Sequence, residues 1–211
     1  MKKMIALLGM VVLAAAMCLS PAAAAQPRSA KDSLSADGPY ILYGSNGVEV
    51  ISVDVQGEIS RKHWDQLPDG YTFRVTDHRG KYPFQVSLRP FARQEWQRRD
   101  IPQRTFVMSD PHGKLDCVID LLRGNRVIDD GLEWAYGTNR LVVIGDIADR
   151  GKDMTAIYWF FYKLQQEAED AGGSVVMLLG NHEPMGSPGT CAMRSPSTRS
   201  CRACWAWNTR T

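Results

Sequence analysis

The tightest constraint on this chain is a pattern that occurs three times: a short apolar run that stops abruptly in acids, histidines or asparagine. Residues 141–144 (LVVI) break at Gly145 into a loop carrying Asp146, Asp149, Arg150 and Gly151. Upstream, residues 105–108 (TFVM) end in Ser109, Asp110, Pro111, His112 and Gly113. Downstream, residues 174–179 (SVVMLL) end in Gly180, Asn181, His182 and Glu183. Runs of this kind suit strands buried on both faces, as in a parallel sheet. The breaks lie ~35 residues apart, about one βαβ unit. Parallel strands deliver all three loops to one rim, where an open α/β sheet holds its ligand. A strand that only had to end would use Gly, Asn or Ser. Two acids and an arginine within five residues point to chemistry instead.

Helical periodicity fills the gaps between these runs. Residues 113–122 place Leu115, Val118, Ile119 and Leu122 on one face. Cys117 lies among them and reads as a small core residue. A loop comes next at 124–137, with an Asp129-Asp130-Gly131 turn. Asp153 is placed to cap a long helix over 154–171, closed by Gly172 and Gly173. The aromatic run Tyr158, Trp159, Phe160, Phe161 and Tyr162 reads as core packing. The order is β-α-β-α-β, which predicts a layered α/β fold on a parallel or mixed sheet over residues 101–185.

Before this half, residues 40–100 have a β character. Residues 41–43, 48–55, 71–75 and 82–88 alternate or run apolar, separated by Ser45-Asn46-Gly47, Pro68-Asp69-Gly70 and His78-Arg79-Gly80. Two hairpins forming a small module are expected, either packed on the second half or binding a partner. His63 and His78 have no ligand-type spacing around them and read as surface or turn histidines. Residues 91–99 (FARQEWQRR) form a charged connector of a helical turn or two.

Residues 1–25 read as a secretory leader. Lys2 and Lys3 precede a short apolar core at 4–19, and Ala23, Ala24 and Ala25 supply a cleavage pattern before Gln26. The expected location is periplasmic or secreted, with no stable membrane association after cleavage. Residues 26–39 read as a flexible, polar lead-in. The chain holds 25 basic and 23 acidic residues; loss of Lys2 and Lys3 with the leader balances them. A net charge near zero gives no footing for nucleic acid.

The three breaks, D-P-H-G (residues 110–113), G-D-I-A-D-R-G (145–151) and G-N-H-E (180–183), together resemble the calcineurin-like metallophosphoesterase superfamily. The resemblance covers about residues 103–185. It is strongest to the phosphoprotein-phosphatase branch and, within it, to the bacterial Shewanella-like type. Each motif alone is weak; three in order, each after an apolar run, are specific. The resemblance implies a metal-dependent phosphoester hydrolase, serine/threonine phosphatase-like, with two divalent ions of manganese, iron or zinc. By motif position, Asp110 and His112 would hold the first ion, Asp146 would bridge, and Asn181 would hold the second. His182 would protonate the leaving oxygen with Asp149 orienting it, and Arg150 would grip the phosphate. Glu183 would orient the loop. The implied substrate is a phosphoprotein or small phosphoester; nucleotidase and dinucleoside-polyphosphate hydrolase activities share the same motifs.

Two departures stand out. Leu179 occupies the place where the eukaryotic branch carries an arginine, which removes one phosphate contact and fits the bacterial type. More seriously, the family supplies two further histidines to the second metal from well downstream, and no histidine comes after His182 here. Residues 186–211 show no periodicity and hold three of the five cysteines, with Cys201 and Cys204 as an unsupported C-x-x-C. The codons possible for residues 187–201 permit, one frame over, xxGDLRYAKPKYTEL, which resembles the segment after G-N-H-E in this branch. The tail is therefore expected to be out of frame from near Met185, leaving the second metal site incomplete and activity impaired. The alternative is a non-catalytic fragment or metal-binding pseudoenzyme.

Overall fold

A computed structural model describes residues 35–90 and 101–185. The leader, the connector at 91–99 and the tail at 186–211 lie outside these residues. Among the described residues, no helix is long and apolar enough to cross a membrane.

Strand β6 (Thr105–Met108) leads into helix α1 (Leu115–Gly124), strand β7 (Arg140–Val143), helix α2 (Met154–Asp170), strand β8 (Ser174–Met177) and the short turn of helix α3 (His182–Met185). The three strands form one parallel sheet in the order β6-β7-β8, with Val107, Val142 and Val176 in register. The β-α-β-α-β order and the parallel sheet agree with the sequence. The helices follow their apolar stripes. Leu115, Val118, Ile119 and Leu122 of α1 are buried, as are Ile157, Phe160, Phe161 and Leu164 of α2. They pack against Met108, Leu141, Val143 and Val175 in one core. Fully burying one such side chain contributes about 1.5–3 kcal/mol.

Cys117 is a correction. It is exposed, not core, because it falls on the solvent side of α1 between Asp116 and Val118. Asp153 is a second correction. It stands at the N-cap of α2 but makes no side-chain capping bond there, since His78 occupies its carboxylate.

The N-terminal half is richer than two hairpins. Strands β1 (Asp37–Gly44), β2 (Gly47–Val53) and β3 (Ile59–Trp64) form an antiparallel meander. Strand β3 escapes sequence reading because ISRKHW has no apolar alternation and is almost wholly exposed. As an edge strand carrying Arg61, Lys62 and His63, it resists pairing with other chains. Strands β4 (Thr72–Val75) and β5 (Phe84–Ser87) form a separate hairpin. That hairpin shares the main core: Val75, Phe84 and Val86 are buried with α1 and α2, and Phe84 meets Phe160 edge-on at 5.3 Å. Trp159 ties α2 to both β units, meeting Phe73 of β4 edge-on at 4.9 Å and donating its indole N–H to the Pro39 carbonyl of β1 at 2.8 Å. The β region is thus packed on α2, as one of the two expectations had it.

Candidate active site

The three loops converge at the carboxyl ends of β6, β7 and β8. Two backbone crossings weld them together. A Cβ at Gly113 would lie 2.7 Å from the Gly151 carbonyl carbon, so only glycine lets the first and second loops touch. A Cβ at Gly180 would lie 2.5 Å from the Asp146 nitrogen, with the same consequence for the second and third. Backbone bonds complete the weave. His112 N donates to Asp146 O at 3.0 Å, Gly113 N to Ile147 O at 2.9 Å, and Gly151 N to His112 O at 2.8 Å.

The loops are conformationally strained where the motif side chains sit. Asp110, His112, Asp146, Asp149 and Arg150 all have positive φ, between 42° and 76°. Only Arg126 and Leu132 share that feature elsewhere among the described non-glycine residues. Left-handed backbone costs a non-glycine residue about 1–3 kcal/mol, and it persists only where surroundings over-determine it.

Glu183 is the main over-determining group. Its carboxylate is 2% exposed and accepts backbone N–H bonds from Asp146 (2.9 Å), Ile147 (2.8 Å), Ala148 (3.1 Å) and Gly180 (2.6 Å), with the Tyr158 hydroxyl at 3.3 Å. Burial alone would raise its pKa, but the four N–H donors outweigh it and hold the carboxyl below the ordinary glutamate range. Glu183 thus fixes the Asp146 loop to the loop of Asn181 and His182, which matches the orienting role the sequence implied for it.

His112, Asp146 and His182 come together, their nearest ligand atoms all within 4.8 Å of one another. His112 is buried and turns Nδ1 to the Ala148 carbonyl at 3.0 Å. That bond assigns the proton to Nδ1 and leaves the Nε2 lone pair for a ligand. Nε2 faces Asp110 Oδ2 at 4.0 Å. Asp146 accepts the His182 N–H on Oδ1 at 2.8 Å, so Oδ2 is spared. The His182 ring meets His112 edge-on at 4.7 Å, and its Nδ1 lies 3.5 Å from Asp149 Oδ2. Arg150 and Asn181 stand exposed on the same loops. An imidazole with a free lone pair beside carboxylates is a donor set suited to manganese, iron or zinc. The remaining histidines are elsewhere: His63 on exposed β3 and His78 beside Asp153. His78 lies in a turn, as expected, but its partner Asp153 is 75 positions away and left no local signal.

A strand-delivered rim of His112, Asp146 and His182 makes a candidate metal site. The calcineurin-like phosphoesterase family matches residues 103–208, and the chain belongs to that family, in its Shewanella-like branch. It is similar to Shewanella-like protein phosphatase 2 of Arabidopsis thaliana, 36% identical over 92 residues, which cover 44% of this chain and 24% of that protein. It is similar also to Shewanella-like protein phosphatase 1 of Plasmodium berghei, 33% identical over 82 residues, covering 39% and 23%. Among solved structures it resembles a cold-active protein-tyrosine phosphatase of a psychrophilic Shewanella species. The TM-score is 0.60 at 28% identity, covering 80% of this chain and 50% of that one. The matches thus span about a quarter of the length of the curated relatives and half of the solved one.

Proposed function

We propose that this chain carries the site of a metal-dependent phosphomonoesterase acting on phosphoproteins or small phosphoesters in the periplasm or outside the cell. The observation that supports it best is the grouping of His112, Asp146 and His182, with Asp149 behind His182 and an exposed Arg150 on the same loop. His112 through Nε2, Asp110 and Asp146 would hold one divalent ion, with Asp146 and Asn181 reaching a second. Bound ions of this kind supply an activated water and neutralise charge on phosphate oxygens. Arg150 offers a planar donor fork to two of those oxygens. His182, oriented by Asp149, would give its proton to the leaving oxygen as the bond from that oxygen to phosphorus breaks.

A specific observation favours a second reading, a metal-binding pseudoenzyme. The chain has four histidines, and only two of them stand at this site. With only these two imidazoles at the site, a second ion would rest on oxygen ligands and turnover would be slow. Mn²⁺-stimulated hydrolysis tests both readings. A slow rate on p-nitrophenyl phosphate, lost in His112→Ala, is expected of the impaired enzyme. Turnover in the usual enzymic range, about 1–10³ s⁻¹, would overturn the impairment; Mn²⁺ binding without any turnover would favour the pseudoenzyme. The leaving group sharpens the proton-donor role. His182→Ala should slow phosphoserine cleavage about 10²-fold or more, and p-nitrophenyl phosphate much less, because p-nitrophenolate leaves without a proton.

A further inference from the structure

One hydrogen-bonded contact outside the three motifs reaches the site. His78 sits in the turn between β4 and β5, and its backbone N and Nδ1 both lie against Asp153 Oδ1, at 2.7 and 2.8 Å. Arg79 Nε donates to His78 Nε2 at 3.2 Å. Nε2 is thereby an acceptor, so the ring proton lies on Nδ1 and points at Asp153. The turn that presents His78 is itself stiff. Asp77 accepts the backbone N–H of Tyr82 at 2.8 Å and of Arg79 at 3.2 Å, and Gly80 N bonds Asp77 O at 2.9 Å. Asp153 in turn donates its own N–H to Gly113 O at 3.0 Å. It lies two residues after Gly151, the point where the first two motif loops touch. Just before that crossing stand the strained residues Asp149 and Arg150, with φ of 76° and 65°.

We infer that His78 is a positioning residue, and that the β4–β5 turn braces the Asp149–Arg150 loop through the His78–Asp153 bond. This rests on the reading of Arg150 as the phosphate-binding group. Asp153 has given up the usual capping bond to its own helix for this contact, although a cap is worth about 1 kcal/mol. Its second role must then lie in what it holds. Asp77, His78 and Asp153 could also be taken for a cation site, since their ligand atoms fall within 4.8 Å. Both Asp77 oxygens, both His78 ring nitrogens and Asp153 Oδ1 already have protein partners, however, so the cluster serves as a brace. Removing the His78 ring leaves buried Asp153 with the backbone N–H of residue 78 alone and frees one side of a loop that two left-handed residues strain to reshape.

The experiment uses the Mn²⁺-loaded 211-residue chain with inorganic phosphate as the probe. His78→Ala should weaken phosphate binding about tenfold, the scale of lost outer-shell support, with Mn²⁺ affinity within about twofold of the parent. His78→Asn places an amide N–H where Nδ1 stood and should restore most of the phosphate affinity. Amide exchange gives a readout independent of function: Gly151 and Asp153 should exchange about tenfold faster or more in His78→Ala, with β1 and β2 unchanged. Equal loss of phosphate and Mn²⁺ affinity, no rescue by asparagine, or unaltered exchange at Gly151 and Asp153 would each overturn the brace. Failure of the parent chain to bind phosphate would instead count against the phosphatase reading, with the exchange result still deciding the brace.

Discussion

The two faces of the β6-β7-β8 sheet are built from alternate residues of the same strands, yet they meet different fates. On one face Met108, Leu141, Val143 and Val175 lie in the core under α1 and α2. On the other, Val107 remains 52% exposed, and in the continuations of β7 and β8 Ile144 remains 47% and Leu178 44% exposed. Both faces are apolar, so periodicity cannot tell them apart. A parallel sheet is ordinarily covered on both sides. Among the described residues only the first face is covered, and the second presents an apolar strip next to the site rim. The same side-chain chemistry contributes to folding only where a second layer excludes water.

Mutations can sharpen that contrast, and the largest effect is expected on the covered side. Phe160→Ala removes a wholly buried ring touching Phe84 and Phe161 and should cost about 3–5 kcal/mol in denaturant unfolding. Next comes the rim. Glu183→Gln takes the charge from a carboxylate that four N–H groups address, and should cost about 2–3 kcal/mol. Its pH signature is specific. Glu183 releases its proton more readily folded than unfolded, so its contribution is complete at neutral pH and is lost as pH falls through the depressed folded pKa, from about pH 5 downward. The Gln variant should flatten that part of the acid-unfolding curve. The smallest effect belongs to the open face. Val107→Thr with Leu178→Thr should shift stability by less than about 0.5 kcal/mol per site while lowering dye binding and aggregation. A loss of several kcal/mol there would mean that the face is covered after all.

Legibility in the sequence varied with the range of the interaction. The three motif loops, the α1 stripe and the long helix with its Gly172 stop announced themselves through spacing within one element. Glu183 was legible as an orienting residue, although its four donors come from two loops and only the fold brings them together. Strand β3 was invisible because backbone pairing with β2, not side-chain burial, holds it in place. Cys117 misled because its neighbours carry the stripe and a cysteine carries no polarity signal of its own. The pairing of Asp153 with His78 was hidden for one shared reason. Each looked complete in its local context, as a cap and as a turn residue, and their pairing spans 75 positions.

Strained, welded loops that gather Asp146 with His112 and His182 should hold a divalent ion, and the bound ion depends on the central carboxylate. Calorimetric titration of the 211-residue chain with Mn²⁺, beside Asp146→Asn, tests this most directly. The parent should bind one Mn²⁺ ion tightly, and the variant should lose binding altogether while keeping its fold by circular dichroism. Unchanged Mn²⁺ binding in Asp146→Asn would contradict it.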